Sequence, residues 1–134
     1  MVQLLRFLLL LKCIKRFVLS LLLLGAIQPV FAHHSHAMFD RTKTQTLSGT
    51  VTKFEFTNPH AWIWVDITDD EGNVTNWGFE MGSAPSLSRS GWKPKMLQPG
   101  DEITVTFNPL KNGSPGGAFN SAVFENGEPV GPKR

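Results

Sequence analysis

The sequence predicts an all-β domain with one short helix, and three observations support this prediction. Residues 47–67 contain two consecutive stretches in which apolar side chains alternate as they do along β-strands. Further along the chain, Ile103, Val105 and Phe107 alternate with polar residues. Turn signals separate these stretches, namely the acidic, glycine-containing residues 69–73 and the pair Pro99-Gly100.

The first predicted strand changes the face on which its apolar side chains lie. Leu47 and Val51 occupy odd positions, whereas Phe54 and Phe56 occupy even ones. Because a strand repeats every two residues, this change requires an extra residue or a sharp bend near Thr52. Strands bent in this way allow a small sheet to curl into a barrel.

The second predicted strand alternates without interruption and places His60 at its start. Asn58-Pro59 predicts a turn before it, because proline lacks a backbone donor and disfavours a helical conformation at the preceding residue. One face of the strand carries Ala61, Ile63, Val65 and Ile67, and the other carries Trp62, Trp64 and Asp66. A third strand follows the acidic turn, with Thr75, Trp77, Phe79 and Met81 on one face.

The remaining elements complete the order β-β-β-α-β-β. Residues 83–91 predict a short helix, with Ser83 as its N-cap, Pro85 in its first turn and Gly91 at its end. Leu87 and Trp92 are expected to anchor it. A fourth strand around residues 103–107 and a fifth over residues 118–124 follow. This order is that of the OB-fold, a five-stranded Greek-key barrel, with a five-stranded sandwich as the alternative.

Residues 1–32 resemble a secretory signal peptide. Arg6, Lys12, Lys15 and Arg16 precede an apolar core at residues 17–27, and Ala32 ends a Val-Phe-Ala triplet. We expect cleavage after Ala32 and a periplasmic protein. The alternative, an uncleaved anchor, is disfavoured because a spanning helix needs about 20 apolar residues. The predicted organisation is a leader at 1–32, a flexible histidine-rich segment at 33–45, an OB-like barrel at 46–126 and a tail at 127–134.

Loss of the leader changes the charge of the chain. Four of the 13 basic residues lie within it, so nine remain against 11 acidic residues, and the net charge of +2 becomes −2. Cys13, the one cysteine, is also lost, which excludes a disulfide. The charge removes the compositional argument for nucleic acid. The expected partner is a small ligand, a metal ion or a periplasmic protein, with neither nucleic acid nor membrane.

The histidines are the most distinctive candidate ligands. A chain that begins at His33 offers an α-amine and an imidazole together, His34 and His36 add further imidazoles, and His60 lies in the barrel. Nitrogen donors of this kind favour Cu(II). Cleavage after Phe31 places a histidine third from the amine, which is also a Cu(II)-chelating arrangement. The alternative is adventitious binding by a disordered terminus, with His60 satisfying backbone groups at its turn.

The tryptophans are the second candidate feature. OB-folds bind oligomers on aromatic faces, and Trp62 and Trp64 share a strand face, with Arg89 or Lys53 as a neighbouring cation. Trp77 and Trp92 are expected in the core instead, because a domain of this size needs large apolar side chains.

The sequence contains no recognisable catalytic constellation. Serine, histidine and aspartate occur without a nucleophile motif, and the mature chain has no cysteine. The acidic residues 69–71 fit a solvated turn rather than a calcium loop. We therefore expect a binding protein rather than an enzyme.

Several short motifs resemble those of an exported bacterial family, domain of unknown function 6152. They are Ala32-His33-His34-Ser35, Met38-Phe39-Asp40, Gly49-Thr50-Val51, the run FEFTNPH at residues 54–60, Gly91-Trp92 and Pro99-Gly100-Asp101. The resemblance implies a small exported β-barrel of Gram-negative bacteria without an established activity. The family commonly has phenylalanine where this chain has His36, so a role of His36 is not implied by the resemblance.

Three functional hypotheses follow. The first is an exported protein that binds Cu(II) through the histidine-rich N-terminus. The second is a metal-free interaction module that binds a peptide, a glycan or a partner protein on the Trp62/Trp64 face. The third is an accessory subunit without a ligand of its own.

Overall fold

The computed structural model describes Arg6 and residues 36–132. A single 3-10 turn, His36–Met38, precedes the first strand. The elements that follow are β1 (Gln45–Glu55), β2 (Trp62–Thr68), β3 (Val74–Glu80), α1 (Ala84–Arg89), β4 (Glu102–Pro109) and β5 (Gly116–Phe124). No helix among the described residues is long and apolar enough to cross a bilayer.

The five strands form a closed barrel in the order β1-β2-β3-β5-β4. Four of the pairings are antiparallel, and the pairing between β3 and β5 is parallel. The closed strand order and the short helix between β3 and β4 confirm the predicted OB-like barrel. The alternative, a five-stranded sandwich, does not describe this sheet.

The bend predicted in β1 is a bulge. Val51 pairs with Val65 and Lys53 pairs with Trp64, so Thr52 is the extra residue. Val51, which precedes the bulge, is buried, and the residues after the bulge have the opposite phase of inward and outward side chains. The bend at the bulge lets β1 pair with both β2 and β4.

One apolar core fills the barrel. Its members come from the inward positions that the alternation predicted on β2, β3 and β4, and the most buried large side chains include Ile63, Val65, Phe79, Ile103, Val105 and Phe107. Leu87 and Trp92 pack against this core from α1 and the residues after it, as predicted. Helix α1 ends where Gly91 adopts a φ of +93° and Trp92 N–H donates to the carbonyl of Leu87 at 3.0 Å.

Residues that lie outside the two predicted boundaries of the barrel also pack against the barrel. Phe39 is buried and bridges to Leu110, and Asp40 N–H donates to the carbonyl of Pro109 at 2.8 Å. At the other end, Val130 is buried and its N–H donates to the carbonyl of Ala122 at 2.9 Å. Apolar side chains at these two positions therefore extend the packed domain beyond residues 46–126.

Gly49 is required by a close approach between strands. A Cβ atom at this position would lie 2.2 Å from the carbonyl oxygen of Asp66 and 2.7 Å from Cδ1 of Ile67. We predict that Gly49→Ala lowers the free energy of unfolding by about 2–3 kcal/mol, since the added methyl overpacks a tight contact. Urea denaturation measures this change.

Gly82→Ala is the matched control for this substitution. A methyl group added at Gly82 would have its nearest neighbour, an atom of Leu87, 3.9 Å away, so the control should be neutral or stabilising by about 0.4–1 kcal/mol. Equal destabilisation by the two variants would contradict the role assigned to Gly49.

The acidic turn between β2 and β3 is closed by the side chain of Asp69. Asn73 donates from its side chain to Asp69 Oδ2 at 3.0 Å and from its backbone to Oδ1 at 2.8 Å, and these bonds lower the pKa of Asp69 below its ordinary value. Because the carboxyl is more acidic in the folded state, its stabilising effect is present above pH 3.8 and is lost as the pH falls through the folded-state pKa.

We predict that Asn73→Ala raises the pKa of Asp69 toward its ordinary value, because the largest of these hydrogen bonds is removed. NMR titration of the Asp69 carboxyl carbon measures it, with Asn112→Ala in a different turn as the control. An unchanged titration of Asp69 in Asn73→Ala would refute the assignment.

Candidate functional site

His60 and Glu80 form a side-chain pair on the outer surface of the barrel. Ala61 extends the β2–β3 ladder beyond its last regular pair, Trp62 with Glu80: its N–H donates to Gly82 and its carbonyl accepts from Met81, at 3.0 and 2.9 Å. This extension holds His60 beside β3, where its Nδ1 contacts Oε1 of Glu80. The two side chains are 33% and 10% exposed, so the carboxylate is largely covered while the imidazole remains accessible.

The pair leaves one ring nitrogen of His60 for other chemistry. When Nδ1 donates to a carboxylate, the ring orientation is fixed and Nε2 carries the free lone pair. Metal-binding histidines are commonly held in this way by a carboxylate behind the ring. The arrangement therefore makes His60 suitable as a ligand through Nε2.

His60 and Glu80 line a groove of about 710 Å³, which we call the histidine groove. Phe39 and Arg41 form part of its wall, together with residues of β5 and the start of α1. The strand-like lead-in that carries Phe39 is fixed to the barrel by Lys111, whose N–H donates to the carbonyl of Met38 at 3.0 Å. Met38 and Phe39, which lie within the histidine-rich segment, are thus held at the groove that contains His60.

The other predicted metal ligands precede Met38 and Phe39 in the sequence. His33 and His34 lie outside the described residues, and His36 begins the 3-10 turn, three positions before Phe39. Across residues 36–132, no three His, Cys, Asp or Glu side chains are grouped so that they could hold a metal ion.

A second groove of about 720 Å³ adjoins the first, and we call it the tryptophan groove. Both grooves share Met81, Gly82, Phe119 and Asn120 in their linings, so they are adjacent. Trp92 lies in this second groove, with its ring centroid 5.9 Å from that of Phe119 and 6.1 Å from that of Phe54. Pro129, Val130 and Pro132 of the tail form another wall.

Trp62 and Trp64 share the outer face of β2, as the alternation predicted. Their rings stack with centroids 5.6 Å apart and an interplanar angle of 18°. Trp64 is held in place, because its Nε1 donates to Oε2 of Glu55 at 2.8 Å and its ring lies where a Cβ of Gly78 would be. Both side chains are partly exposed.

The two cations proposed to accompany this pair are placed differently. Lys53 lies opposite Trp64 in the ladder and forms an ion pair with Glu55. Hydrogen bonds from Lys53 and, to a lesser extent, from Trp64 hold the pKa of Glu55 below its ordinary value. Arg89 lies in the last turn of α1, and no contact with either tryptophan is found for it within the described part of the chain.

Trp77 is partly buried rather than fully enclosed. Its ring packs against Phe79 and Phe107, with centroids 6.3 and 5.7 Å away, which agrees with the expected structural role.

The acidic turn likewise has a structural role, since the carboxylate of Asp69 accepts backbone N–H groups of the turn.

Sequence reasoning missed Glu80 and Arg41. Glu80 carries a signal that was available: a hairpin that pairs Thr68 with Val74 also pairs Trp62 with Glu80, which puts the carboxylate beside His60. Arg41 has no such signal, because its position depends on how residues 39–44 pack outside the regular strands.

Comparison with solved structures finds the mitochondrial single-stranded DNA-binding protein Rim1 of S. cerevisiae. The likeness has a TM-score of 0.45 and 8% sequence identity, and it covers 62% of this chain and 94% of that one. The exclusion of nucleic acid as a partner was wrong, because this neighbour is named as a single-stranded DNA-binding protein. That name describes the neighbour, and a net charge alone does not decide the partner of this chain.

The family comparison identifies the chain more directly. No curated protein matches the sequence significantly. A family model described as Family of unknown function (DUF6152) matches residues 21–120, which is most of the chain. The protein therefore belongs to this family, as the motifs quoted above predicted.

Proposed function

We propose that the protein is an exported binding protein that holds Cu(II) between its histidine-rich N-terminus and His60. The observation that supports this proposal is that Phe39 and His60 line the same groove. Phe39, which follows the N-terminal histidines, and His60 are separated by 21 positions in sequence and line one groove.

The covalent length of the chain is compatible with a shared site. An extended chain spans at most about 3.3–3.6 Å per residue, so His36 lies within about 10 Å of Phe39 and His33 within about 20 Å. Because Phe39 lines the groove that contains His60, we propose that the segment before Phe39 is long enough for its histidines to approach His60.

The donor set favours copper. Cleavage after Ala32 gives His33 an α-amine beside its imidazole, His34 adds a second imidazole, and His60 supplies Nε2. A set made of nitrogen donors suits the square-planar geometry of Cu(II). Cleavage after Phe31 gives a different nitrogen set, in which His34 becomes the third residue from the amine.

Glu80 contributes to the proposed site without being a required ligand. Its carboxylate contacts Nδ1 of His60 and is 10% exposed, so it can hold the ring while it compensates part of the charge of a divalent cation. Export is supported by the basic leader, the apolar core and the small residue at position 32.

The free amine of His33 provides the first test. We predict that protein beginning at His33 with a free α-amine binds Cu(II) at least about tenfold more tightly than the same protein with an acetylated N-terminus, because acetylation removes one chelating donor and a tenfold difference corresponds to about 1.4 kcal/mol. Isothermal titration measures both affinities, and mass spectrometry of the exported protein establishes which residue is first. Equal affinities would exclude the amine as a ligand, and an exported protein that begins after Asp40 would exclude the proposal.

Glu80 provides the second test. We predict that Glu80→Gln weakens Cu(II) binding by about 10–100-fold, since the carboxylate that orients a ligand histidine is lost. Glu55→Gln is the matched control, because Glu55 is also an outward strand carboxylate but contacts Lys53 and Trp64 instead of lining the groove. Equal affinities of the two variants would remove Glu80 from the site.

A metal-free interaction module is the second candidate function. It is favoured by the stacked pair of Trp62 and Trp64, which lies partly exposed on the outer face of β2. This candidate predicts that ligand binding on that face is independent of the N-terminal residue, so the two forms of the protein in the first test separate the two candidates.

A further inference from the structure

We infer that the two adjacent grooves together form a binding site for a small amphiphile with an anionic carboxylate head and an apolar chain. The carboxylate would lie at Arg41 in the histidine groove, and the apolar chain would lie along Trp92 in the tryptophan groove. This inference concerns a ligand different from copper and does not rest on the proposed function.

The shape and lining of the grooves support this ligand class. Each groove lies within the range of roughly 300–1,000 Å³ that is typical of small-molecule sites. They share the lining residues Met81, Gly82, Phe119 and Asn120, which lie where β3 and β5 separate after their last parallel pair, Glu80 with Ala118. Both grooves therefore lie beside the same opening between two strands, where one elongated ligand can contact both.

Charge is confined to one end of this site. Among the described residues, all those that line the tryptophan groove are uncharged, whereas Arg41, His60 and Glu80 line the histidine groove. Glu80 is already paired with His60. Arg41 forms no ion pair with any residue in the range 36–132, so its guanidinium is the cation that remains for a carboxylate.

The other end offers apolar surface that is only partly covered. Leu87, Trp92 and Phe119 pack against the core and keep part of their surface exposed to the groove. Val130 and Pro132 close the side of the groove that faces the tail, where Pro132 also lies against Gly91. An apolar chain placed here would remove the remaining aromatic surface from water, which is favourable.

The arrangement selects an amphiphile over a uniformly polar or uniformly apolar ligand. A free carboxylate without a chain would leave the tryptophan groove empty, and a neutral chain would leave Arg41 without a partner. Asn120, which has no partner in the ladders of β5 with β3 or β4, lies at the junction and offers an amide to the part of the ligand that bridges the two grooves.

The test is titration of the exported protein with decanoate below its micellar concentration, followed by calorimetry and by tryptophan fluorescence. Decanol has the same chain length without the charge. We expect one decanoate to bind per chain, decanol to bind about three- to tenfold more weakly, and the fluorescence change to be lost in Trp92→Phe.

Two charge variants complete the experiment. Arg41→Gln should weaken decanoate binding by about three- to tenfold, the factor expected between decanoate and decanol. It should leave decanol binding unchanged. Lys43→Gln removes the same charge two residues further along the chain. The Lys43 side chain pairs with Asp40 and lies outside both grooves, so this variant should bind decanoate like the parent protein.

Each of the following results overturns the inference. These are the absence of decanoate binding by calorimetry, equal affinities for decanoate and decanol, and equal effects of Arg41→Gln and Lys43→Gln. Displacement of bound decanoate by an uncharged, N-acetylated apolar peptide amide would also overturn the inference, because this result would assign the grooves to an extended peptide. None of these results bears on copper binding, which is measured separately.

Discussion

The pairing register of β2 with β3 is the constraint on which the candidate site depends. Thr68 pairs with Val74 at the turn, and the ladder continues without a shift until Trp62 pairs with Glu80. A slip of one residue would turn every side chain of β3 to the opposite face. It would take Phe79 out of the core and move Glu80 away from His60. The core and the histidine–carboxylate pair are therefore specified by the same backbone hydrogen bonds, and the turn closed by Asp69 determines both.

Barrel closure then brings the ends of the domain to the same region. The bulge at Thr52 lets β1 pair with two neighbours, and the parallel pairing of β3 with β5 lasts for only three residue pairs before the strands separate. The space that opens is occupied at its edges by Phe39 from the N-terminal side and by Val130 from the tail. Both grooves result from this incomplete pairing, so the binding surfaces are a consequence of how a five-stranded sheet closes.

The sequence alone predicts most of the barrel and less of the site. Alternation identified the inward faces of β2 and β4, the change of phase in β1 identified its bulge, and turn residues separated the strands. These signals are local and depend on side-chain period. The positions of Phe39, Arg41 and Val130 depend on contacts with residues distant in sequence, such as Leu110 and Ala122, and no local pattern encodes them. Glu80 is intermediate, since hairpin register predicts its neighbour once the turn is known.

The proposed copper site joins the N-terminal histidines and His60 around one ion. The most direct measurement is pulsed electron paramagnetic resonance of the Cu(II)-loaded exported protein, which detects the remote nitrogen of each coordinated imidazole. A shared site predicts that His60→Gln removes the signal of one imidazole while the remaining nitrogen ligands persist. An identical spectrum for the parent and for His60→Gln would show that the copper is bound by the terminus alone, and it would rule out the shared site.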